Sequence, residues 1–539
     1  MNIFIFHRDL RIIDNTALVN FVKTKSQKSI VPIFIFTPEQ IGVAKTEDGL
    51  NSTSVKNDYK SNNSVQFMIE SLKELASDIS KKNGKLYFFK GDTIKVLKKI
   101  HSTCEISSIY FNIDYTPYAR NRDILIQQWA NKTNIKVNAY EDYCMYAVIG
   151  TNSENGTNLV IGTNSENGTN SENGTNLENG TNLENGTNSE NDTNLENNTN
   201  LKNGTNLEND TNLKNVTNLK NVPRNGAGKH YLVFTPFKKY CEKNLSIRKP
   251  SNLLPVFGKL FAVKNLSYLI STKDLDNFYI VNKDINIHGG RSNGLKILSK
   301  IKQFSDYNNR NFFTYNTTFL SAHNHFSTIS IREVYYAIID KLGKKSDLIN
   351  ELHWREFYYN LYWHRPDMLA GQLNGSHSNT TNMPFNLKYA KIKWNMDKIL
   401  FKKWCNGMLG IPVCDAGMRQ LNATGFMHNR LRMITASVLT KYLKISWTWG
   451  EKYFATKLVD YDPIQNSGGW QWTVCGIDPR QVFRTFSPRL QGLKYDPDCE
   501  YIKKWIPELK DVPNNQIHNW ETKYKNQLVK IFYPNPVIL

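Results

Sequence analysis

The sequence predicts an α/β domain followed by an all-α domain, with a repetitive insertion between them. Three observations support this. β-rich and helical runs alternate over the first 140 residues, hexapeptide repeats fill 151–222, and helical periodicity dominates from residue 229 onward. A chain of 539 residues is also too long for one hydrophobic core. We therefore expect an α/β domain over 1–142, a linker with the repeats over 143–228, and a helical region with its connector over 229–539.

The first 140 residues have the rhythm of a doubly wound, Rossmann-like parallel sheet. Strands are predicted at 3–6, 30–36, 85–89, 107–112 and 135–140. Helices are predicted at 15–24, 63–82, 93–101 and 118–132. The strand runs are apolar without alternation, which is typical of strands covered on both faces. No G-x-G-x-x-G follows the first strand, so the dinucleotide-binding motif is missing.

Residues 151–222 consist of twelve hexapeptides of the type "TNLENG". Their polar composition buries too little apolar surface to offset chain entropy, so we expect disorder. A hexapeptide solenoid is the alternative, but four units carry Ser where the others carry Leu, which would leave polar gaps in its core. The tract holds ten acidic residues and three lysines, so the basic excess of the chain belongs to the remainder.

The composition indicates a polyanionic partner. The net charge is +20 and the pI about 9.3, which is typical of nucleic-acid binding. A solvated basic surface, or the Lys/Asn bias of an AT-rich genome, would explain the charge equally. Seven cysteines without a CxxC pair indicate reduced thiols, with no zinc site and no disulfide framework. Without a signal sequence or an apolar run of about 18 residues, we expect a soluble intracellular protein.

Three segments of the helical region carry candidate chemistry. In "TTFLS" (317–321), hydroxyls at a predicted helix start suit a phosphate, although a plain helix cap explains them as well. In "ELHWREF" (351–357), Glu351, Trp354 and Arg355 share one helical face. That face suits a flat polar ring, but a surface ion pair on an amphipathic helix is the alternative.

The third segment joins "MHNRLRM" (427–433) to the loop "DYDP" (460–463). Asn429, Arg432 and Met433 share a helical face, and Asp460 and Asp462 precede "NSGGWQW". An Arg and an Asp in apolar company predict a pair, either at a functional site or as a purely structural buried ion pair.

Together, these segments resemble the photolyase/cryptochrome family, and most closely the microbial cyclobutane pyrimidine dimer photolyases. The resemblance covers nearly the whole chain outside the repeats. The matching motifs are "FHRDLRIIDNTAL" (6–18), "VFTPF" (233–237), "TTFLS", "NELHWREFY" (350–358), the run 410–441, "NSGGWQW" (466–472), "FRTFSPRLQG" (483–492) and "YPNPV" (533–537).

The resemblance implies an α/β antenna-type domain and a helical domain that holds FAD. By motif position, the residues at the adenine and phosphate side would be Tyr307, Thr317, Thr318, Phe319, Leu320 and Ser321. Those around the isoalloxazine and ribityl would be Arg355, Asn429, Arg432, Asp460, Asp462 and Asn466. Arg432 and Asp460 match the family's salt bridge beside the flavin. Asn466 matches the amide that faces flavin N5, where a hydrogen-bond donor favours the anionic reduced ring.

The resemblance further implies light-driven electron transfer from reduced FAD to a dimer flipped out of UV-damaged DNA. Trp354 and Trp472 match the two indoles that clamp the dimer, and Glu351 matches the carboxyl that binds a thymine edge. Met433 would cover another side. Arg355 and Asn429 would also line this pocket, and Arg430 would reach a backbone phosphate.

A second set of indoles would refill the flavin with electrons. Trp470, Trp447 and Trp394 fall at the family's three relay positions. The glycines of "NSGGWQW" would let the flavin lie close to the backbone. If this segment is extended, Trp470 and Trp472 point the same way, whereas in a helix they diverge by about 200°.

Alternatives within the family stay open. A (6-4) photolyase would carry histidines in place of Asn429 and Met433, and a plant-type cryptochrome would tend to carry Asp in place of Asn466. Two further hypotheses are a photoreceptor that binds a partner through the repeats and a flavin-free DNA-binding relic. Folate-binding members carry Asn-Glu where this chain has Tyr118-Ala119, which disfavours folate as antenna and leaves a deazaflavin, a second flavin or none. We expect a monomer without a metal ion.

Overall fold

The structure of the protein is a computed structural model. It describes residues 1–24, 29–41, 57–149, 222–261, 266–369, 383–478, 485–520 and 533–537. All of the repeat tract except Val222 lies outside these residues, so the expectation of disorder there stays a prediction.

The N-terminal region forms the predicted α/β unit. Its strands are β1 (Asn2–Phe6), β2 (Ile30–Phe36), β3 (Tyr87–Lys90), β4 (Ser108–Ile113) and β5 (Lys136–Glu141). Its helices are α1 (Thr16–Lys23), α2 (Pro38–Ile41), α3 (Asn62–Ser80), α4 (Thr93–Cys104) and α5 (Pro117–Lys132). Side chains of Asn15, Ser61, Asp92 and Thr116 cap four of these helices, which satisfies backbone N–H groups that a helix leaves free at its start.

The sheet has the strand order β5-β4-β1-β2-β3-β6. Strands β1 to β5 are parallel, as predicted. The sixth strand, β6 (Leu269–Ile270), pairs antiparallel with β3 at the edge and was not predicted. It comes from the connector after the repeats, and two residues are too few for a periodic signal. The predicted domain boundaries are not tested by this pairing and stay predictions.

The rest of the described chain is helical. The α-helices are α6 (Phe234–Asn244), α7 (Arg291–Ser299), α8 (Ser321–His325), α9 (Ile331–Leu342), α10 (Asp347–His364), α11 (Lys398–Asn406), α12 (Pro412–Thr424), α13 (Asn429–Ser437), α14 (Trp447–Lys457), α15 (Pro463–Val474), α16 (Pro488–Tyr495), α17 (Glu500–Trp505) and α18 (Asn514–His518). Helices α12 to α15 enclose a core rich in Leu, Ile, Met and Trp.

Buried ion pairs join the sheet region to the helical region. Arg332 of α9 binds Asp14 (Nε–Oδ2 2.7 Å) and Asp142 (Nη2–Oδ1 2.7 Å). Arg11 binds the other oxygen of Asp142 at 2.6 Å. Burial by itself would raise the pKa of Asp142, but the charges of Arg11 and Arg332 hold it well below its usual value. Because each buried charge has a partner, these pairs fix the two regions against each other.

Two further findings concern the chain as a whole. The seven cysteines all lie among the described residues and form no disulfide. Within the described ranges, no helix is long and apolar enough to cross a membrane.

Candidate active site

The segment "NSGGWQW" lies in helix α15. Asp462 starts this helix, because its Oδ1 accepts from the backbone N–H groups of Ile464 (2.9 Å) and Gln465 (3.0 Å), and Pro463 takes the first helical position. The two indoles therefore point in directions about 200° apart. Trp470 is buried with 3% exposure, while Trp472 is half-buried.

The carboxylate of Asp462 is already used within the protein. Its Oδ2 accepts hydrogen bonds from the hydroxyl of Tyr359, from His325 Nδ1 (3.0 Å) and from Arg8 Nη1 (3.3 Å). Burial alone would raise the pKa of Asp462, but His325 and Arg8 hold it well below its usual range. The side chain of Asp462 thus caps α15 and ties it to the sheet region, and its predicted contact with a flavin stays a prediction.

Asn466 lies half-buried on α15. Its Nδ2 donates to the backbone oxygen of Glu451 (3.0 Å) and to that residue's Oε1 (2.8 Å). Since a backbone carbonyl can only accept, the amide nitrogen must face Glu451. The sequence analysis expected Asn466 to donate toward a ligand; here its donor is engaged, and its Oδ1 is the atom that remains for an outside group. Burial raises the pKa of Glu451 to about 8.

Arg432 and Asp460 form the pair that the sequence suggested. Arg432 Nη2 lies 2.9 Å from Oδ2 and 3.2 Å from Oδ1 of Asp460. Arg432 Nε also donates to the backbone oxygen of Met427 at 2.8 Å. The Asp460 side chain is 3% exposed and that of Arg432 is 27% exposed. The pair therefore keeps one open side, where the guanidinium can still meet another group.

Arg355 is buried on α10 and held from three sides. Its Nη1 pairs with Glu356 Oε1 at 2.9 Å, and its guanidinium lies 4.7 Å from the ring centre of Tyr359. Its Nη2 donates to the backbone oxygen of Asn324 at 3.4 Å. Burial raises the pKa of Glu356 to about 7, even though Arg355 opposes that rise. Contacts with other residues of the protein therefore fix the position of the Arg355 guanidinium.

The "TTFLS" segment runs from irregular backbone at Thr317 into the first residue of α8, Ser321. Phe319 has φ = +55°, a backbone conformation that bulky residues adopt only when their surroundings impose it. Thr317, Thr318 and Phe319 line a cavity of about 400 Å³. Lys296, Ile297, Lys300, Gln303, Phe304 and Asn316 form the rest of its wall. Leu320 is buried, and Ser321 is exposed at the first position of α8.

Glu351 and Tyr307 are linked by a residue that the sequence analysis missed. Arg310 Nε lies 3.2 Å from Glu351 Oε1, and its Nη1 lies 2.8 Å from Asp347 Oδ2. The Arg310 guanidinium also lies 5.3 Å from the ring centre of Tyr307. Burial raises the pKa of Glu351, while Arg310 opposes the rise. No local pattern could have found Arg310, since its partners on α10 follow 37 or more positions later.

Trp354 has one covered face. Its ring stacks on that of Phe234, with 3.7 Å between ring centroids and 6° between planes. Phe234 belongs to the "VFTPF" motif, but the sequence analysis assigned it no role. Trp472 lies 6.4 Å from Phe486, and both indoles border the same hydrophobic cluster around α10. Trp354 thus keeps one ring face that Phe234 does not cover.

Helix α13 presents Asn429, Arg430 and Met433. Asn429 is exposed at its first position, and Met433 is half-buried. Arg430 is held by Asn311 Oδ1 (Nε 3.0 Å) and Gln491 Oε1 (Nη1 3.0 Å). Two neutral side-chain amides thereby set the alignment of Arg430.

The three predicted relay indoles differ in depth. Trp470 and Trp447 are buried, at 3% and 4% exposure, and Trp394 is only half-buried. All three border the core enclosed by α12 to α15. Trp404, which the sequence analysis did not single out, is fully buried and lies 6.2 Å from Trp470.

The glycines of α15 have different surroundings. A Cβ at Gly468 would lie 2.6 Å from the ring of Tyr358, so close helix packing requires glycine there. A Cβ at Gly469 would meet nothing within 4 Å. Gly469 is also exposed, so the backbone of α15 is bare at this position.

Comparison with known proteins identifies the family of the chain. The family model "DNA photolyase" matches residues 2–160, and "FAD binding domain of DNA photolyase" matches 348–539. A deoxyribodipyrimidine photo-lyase of Buchnera aphidicola (subspecies Baizongia pistaciae) is 29% identical over 100% of this chain and 95% of its own. That of Escherichia coli is 42% identical over 198 residues, 36% of this chain and 39% of its own.

A solved structure extends the likeness to the whole fold. The archaeal photolyase from Sulfolobus tokodaii, solved with two FAD molecules, is 30% identical. The match has a TM-score of 0.72 and covers 100% of this chain and 96% of the archaeal one. Both halves of this chain thus match the same family, in the same order, and the chain belongs to the DNA photolyase/cryptochrome family.

Proposed function

We propose that the protein repairs cyclobutane pyrimidine dimers in UV-damaged DNA, by light-driven electron transfer from reduced FAD to a flipped-out dimer. The observation that carries this proposal is the contact between α10 and α15. Gln465 Nε2 donates to the backbone oxygen of Arg355 at 3.1 Å, and Gly468 abuts Tyr358. This contact brings Glu351, Trp354 and Arg355 beside the helix that bears Asn466, Trp470 and Trp472.

The residues present fit FAD. When bound and reduced, FAD supplies the light-excited electron that opens the cyclobutane ring and is recovered afterwards. Tyr307 and the run from Thr317 to Ser321 would hold the adenine and phosphate side. Arg355, Arg432 and Asp460 would bind the polar edge of the isoalloxazine. Asn429 lies exposed at the start of α13, from where it would reach the cofactor or the dimer.

Asn466 favours the reduced ring by accepting rather than donating. Its Nδ2 is engaged by Glu451, so its Oδ1 is available to accept from the N5–H that only reduced flavin carries. Turning the amide round would set a carbonyl against the Glu451 backbone oxygen. Asn466 therefore distinguishes the two oxidation states through the hydrogen bonds it can make.

The dimer would occupy the space between Trp354 and Trp472. Phe234 covers one face of Trp354 and leaves the other for a flipped base, a stacking contact that contributes about 1–3 kcal/mol per base. Glu351, oriented by Arg310, would bind a thymine edge, and Met433 would close another side. Flipping costs little at a lesion that already stacks poorly.

Binding of the DNA backbone would be electrostatic. Arg430, which Asn311 and Gln491 hold half-buried near the start of α13, would reach a backbone phosphate. Each such contact adds to the salt dependence of binding, and substituting Arg430 should reduce the slope of log K against log salt by about 1. This contribution concerns any DNA, whereas Trp354 and Trp472 select for damage.

The relay would run from surface to cofactor through Trp394, Trp447 and Trp470. Trp394 is half-buried while Trp447 and Trp470 are both buried, which supports a path that begins at Trp394. Trp470 would deliver the electron to oxidised flavin, because its ring is packed in the dry core behind the Asn466 face. Trp404 touches Trp470 and is the competing route.

The test uses an oligonucleotide with one thymine dimer. The FAD-loaded protein is chemically reduced, mixed with the oligonucleotide and illuminated, and restored thymines are measured by chromatography. We expect repair in light and none in the dark. A matched oligonucleotide with a (6-4) product should stay unrepaired. Bound FAD together with an unrepaired dimer would contradict the proposal, and repair of the (6-4) product alone would assign the alternative substrate.

The antenna is tested separately. The archaeal relative was solved with two FAD molecules, so a second FAD is the first candidate for this chain. Denaturing the purified protein and measuring released FAD per chain distinguishes the cases. A ratio of two indicates a flavin antenna, a ratio of one with a second absorbing species indicates a different chromophore, and a ratio of one alone indicates an empty antenna site.

A further inference from the structure

Arg8 belongs to the motif "FHRDLRIIDNTAL" and has no part in the proposed light reaction. It lies two residues after strand β1 and is 7% exposed. Its guanidinium is shared between two carboxylates on opposite sides of the junction between the sheet region and the helical region. Nη2 lies 2.8 Å from Oδ1 of Asp114, the residue after β4, and Nη1 lies 3.3 Å from Oδ2 of Asp462, at the start of α15. Arg8 therefore links the sheet to the first turn of α15.

Tyr359 and His325 complete the hydrogen bonds of this arginine. The hydroxyl of Tyr359 on α10 accepts from Arg8 Nη1 at 2.9 Å and donates to Asp462 Oδ2. The backbone oxygen of His325 on α8 accepts from Arg8 Nη1 at 3.2 Å, while its Nδ1 lies 3.0 Å from Asp462 Oδ2. Each of these two residues thus binds both Arg8 and Asp462, so that three helices meet at one guanidinium.

Arg8 and Asp462 are both kept charged although both are buried. Burial by itself would lower the pKa of Arg8, but Asp114, Tyr359 and Asp462 raise it well above its usual value. Burial would likewise raise the pKa of Asp462, but His325 and Arg8 hold it well below its usual range. Removing one partner of a buried ion pair leaves the other charge uncompensated. Replacing Arg8 would therefore disturb Asp114 and Asp462 directly.

Asp462 fixes the turn of α15 that carries Asn466. Its Oδ1 accepts from the backbone N–H groups of Ile464 (2.9 Å) and Gln465 (3.0 Å), and its backbone oxygen accepts from the N–H of Asn466 at 2.8 Å. Gln465 Nε2 in turn donates to the backbone oxygen of Arg355 at 3.1 Å. The position of Asp462 therefore determines where Asn466 lies and, through Gln465, how this turn meets α10 at Arg355.

Arg355 is also connected to Arg8 through the ring of Tyr359. The guanidinium of Arg8 lies 5.3 Å from the centre of this ring, and that of Arg355 lies 4.7 Å from it. Tyr359 follows Arg355 by four positions on α10, so the two side chains share one face of the helix. Two residues proposed at the isoalloxazine, Asn466 and Arg355, are therefore each joined to Arg8 by a short chain of contacts.

Other buried arginines at the same junction have different partners. Arg332 pairs with Asp14 and Asp142, and Arg11 pairs with Asp142. Asp14 precedes α1 and Asp142 follows β5, so both carboxylates belong to the sheet region. Among the described residues, no ion pair joins Arg11 or Arg332 to α15 or to its first residues. Arg332 thus resembles Arg8 in type and burial but holds the two regions together at another place.

We propose that Arg8 is a positioning residue for the flavin reaction. It holds the start of α15, and thereby Asn466 and Arg355, in the arrangement that favours reduced FAD. The inference rests on the proposed function, in which Asn466 Oδ1 accepts from the N5–H of the reduced ring. A hydrogen bond weakens steeply as its geometry departs from linearity. Movement of this turn would therefore destabilise the reduced ring more than the oxidised ring, which has no N5–H.

The test compares R8Q with the wild type, each as the purified full chain with bound FAD. Titration with redox dyes measures the ratio of reduced to oxidised FAD at a fixed potential. We expect R8Q to lower this ratio at least tenfold, equivalent to about 30 mV for a two-electron couple. Hydrogen exchange followed by mass spectrometry should also be faster in R8Q for peptides within 459–470, because the N–H groups that Asp462 binds open more often.

Two further variants separate positioning from charge and from general stability. Y359F keeps every charge but removes the hydroxyl that binds both Arg8 and Asp462. The ratio of reduced to oxidised FAD should fall at least threefold in Y359F, which carries the test if R8Q does not fold. R332Q is the matched control at the same junction; it should lower the unfolding temperature and leave the ratio unchanged.

The outcomes distinguish this inference from the function on which it rests. With FAD bound, a wild-type ratio in either R8Q or Y359F would overturn the role of Arg8, and so would a fall in R332Q equal to that in R8Q. The proposed repair would stand in each of these cases. A wild-type chain that binds no FAD would instead overturn the proposed function, and the role of Arg8 with it.

Discussion

Trp470 and Trp472 lie on opposite sides of α15 and have opposite surroundings. Trp470 is buried in the aromatic core, in contact with Phe454 (5.1 Å) and Trp404 (6.2 Å). Trp472 is half-buried, and the centre of its ring lies 6.4 Å from that of Phe486. One helix thus carries a dry indole that suits electron transfer and a partly open indole that suits a base, and a spacing of two residues separates the two roles.

The glycines around these two indoles also differ in their surroundings. Gly468 lets α15 approach Tyr358, and on the facing helix Gly450 makes room for Trp470, whose ring atom would lie 2.1 Å from a Cβ there. Gly469 faces open space. Close helix packing explains Gly468 and Gly450, whereas no neighbouring atom requires a glycine at position 469.

The largest effect should come from replacing the buried indole. W470F should slow photoreduction of oxidised FAD at least tenfold, because Phe is much harder to oxidise than Trp. Repair by the chemically reduced variant should persist. Transient absorption measures the rate of photoreduction, and recovery of thymine measures repair. W404F is the matched control; if it slows photoreduction as much as W470F, the route through Trp447 is wrong.

Replacing the half-buried indole, Trp472, should instead weaken DNA binding. W472A should weaken affinity for dimer-containing DNA by about 5- to 160-fold, equivalent to the ~1–3 kcal/mol of one base-stacking contact, with photoreduction unchanged. Fluorescence anisotropy with damaged and undamaged oligonucleotides measures the change. Equal loss for both oligonucleotides would mean that Trp472 contributes to general DNA binding rather than to damage recognition.

The two glycines provide a matched pair on the same helix. G468A should destabilise the protein by about 1–3 kcal/mol, since the new methyl group overlaps Tyr358. G469A should unfold at least as late as the wild type, because alanine favours helix by up to ~1 kcal/mol, yet retain less FAD. Thermal unfolding and FAD absorbance measure these effects. Full FAD retention by G469A would show that no flavin lies against this backbone.

The smallest expected effect is on how the stability of the protein depends on pH. Burial raises the pKa of Glu451 to about 8, from an ordinary value of 4.5. The folded state therefore keeps a proton that the unfolded state releases, so the stability from this group is present below pH 4.5 and is lost as pH rises to about 8. E451Q should flatten the decline in unfolding temperature over this window. If the unfolding temperature of E451Q declines as steeply as that of the wild type, the decline comes from another group.

The sheet region was largely predictable. Every predicted strand and helix of residues 1–142 has its counterpart, with ends that differ by a few residues, such as 93–101 against Thr93–Cys104. Long apolar runs and capped amphipathic segments specify these elements locally. The edge strand β6 was missed because its pairing with β3 depends on a chain segment more than 170 positions away.

The candidate site was predictable in its residues but not in its geometry. Motif resemblance named Asn466, Trp470 and Trp472, but two glycines made helix and extended conformations equally acceptable for their segment. In the structure the segment is helical, and its Gly468 packs against Tyr358. Arg310 beside Glu351 and Phe234 beside Trp354 were also out of reach, since nothing local marks them.

The sequence by itself determined the fold class, the family and the residue types of the site, because these depend on periodicity, composition and motifs. Only the tertiary structure decided which way each side chain acts: that Asp462 caps a helix, that Asn466 donates to Glu451, and that Arg310 pairs with Glu351. Hydrogen bonds and charges act over a few ångströms, and residues that distance apart in space are dozens to hundreds apart in the chain.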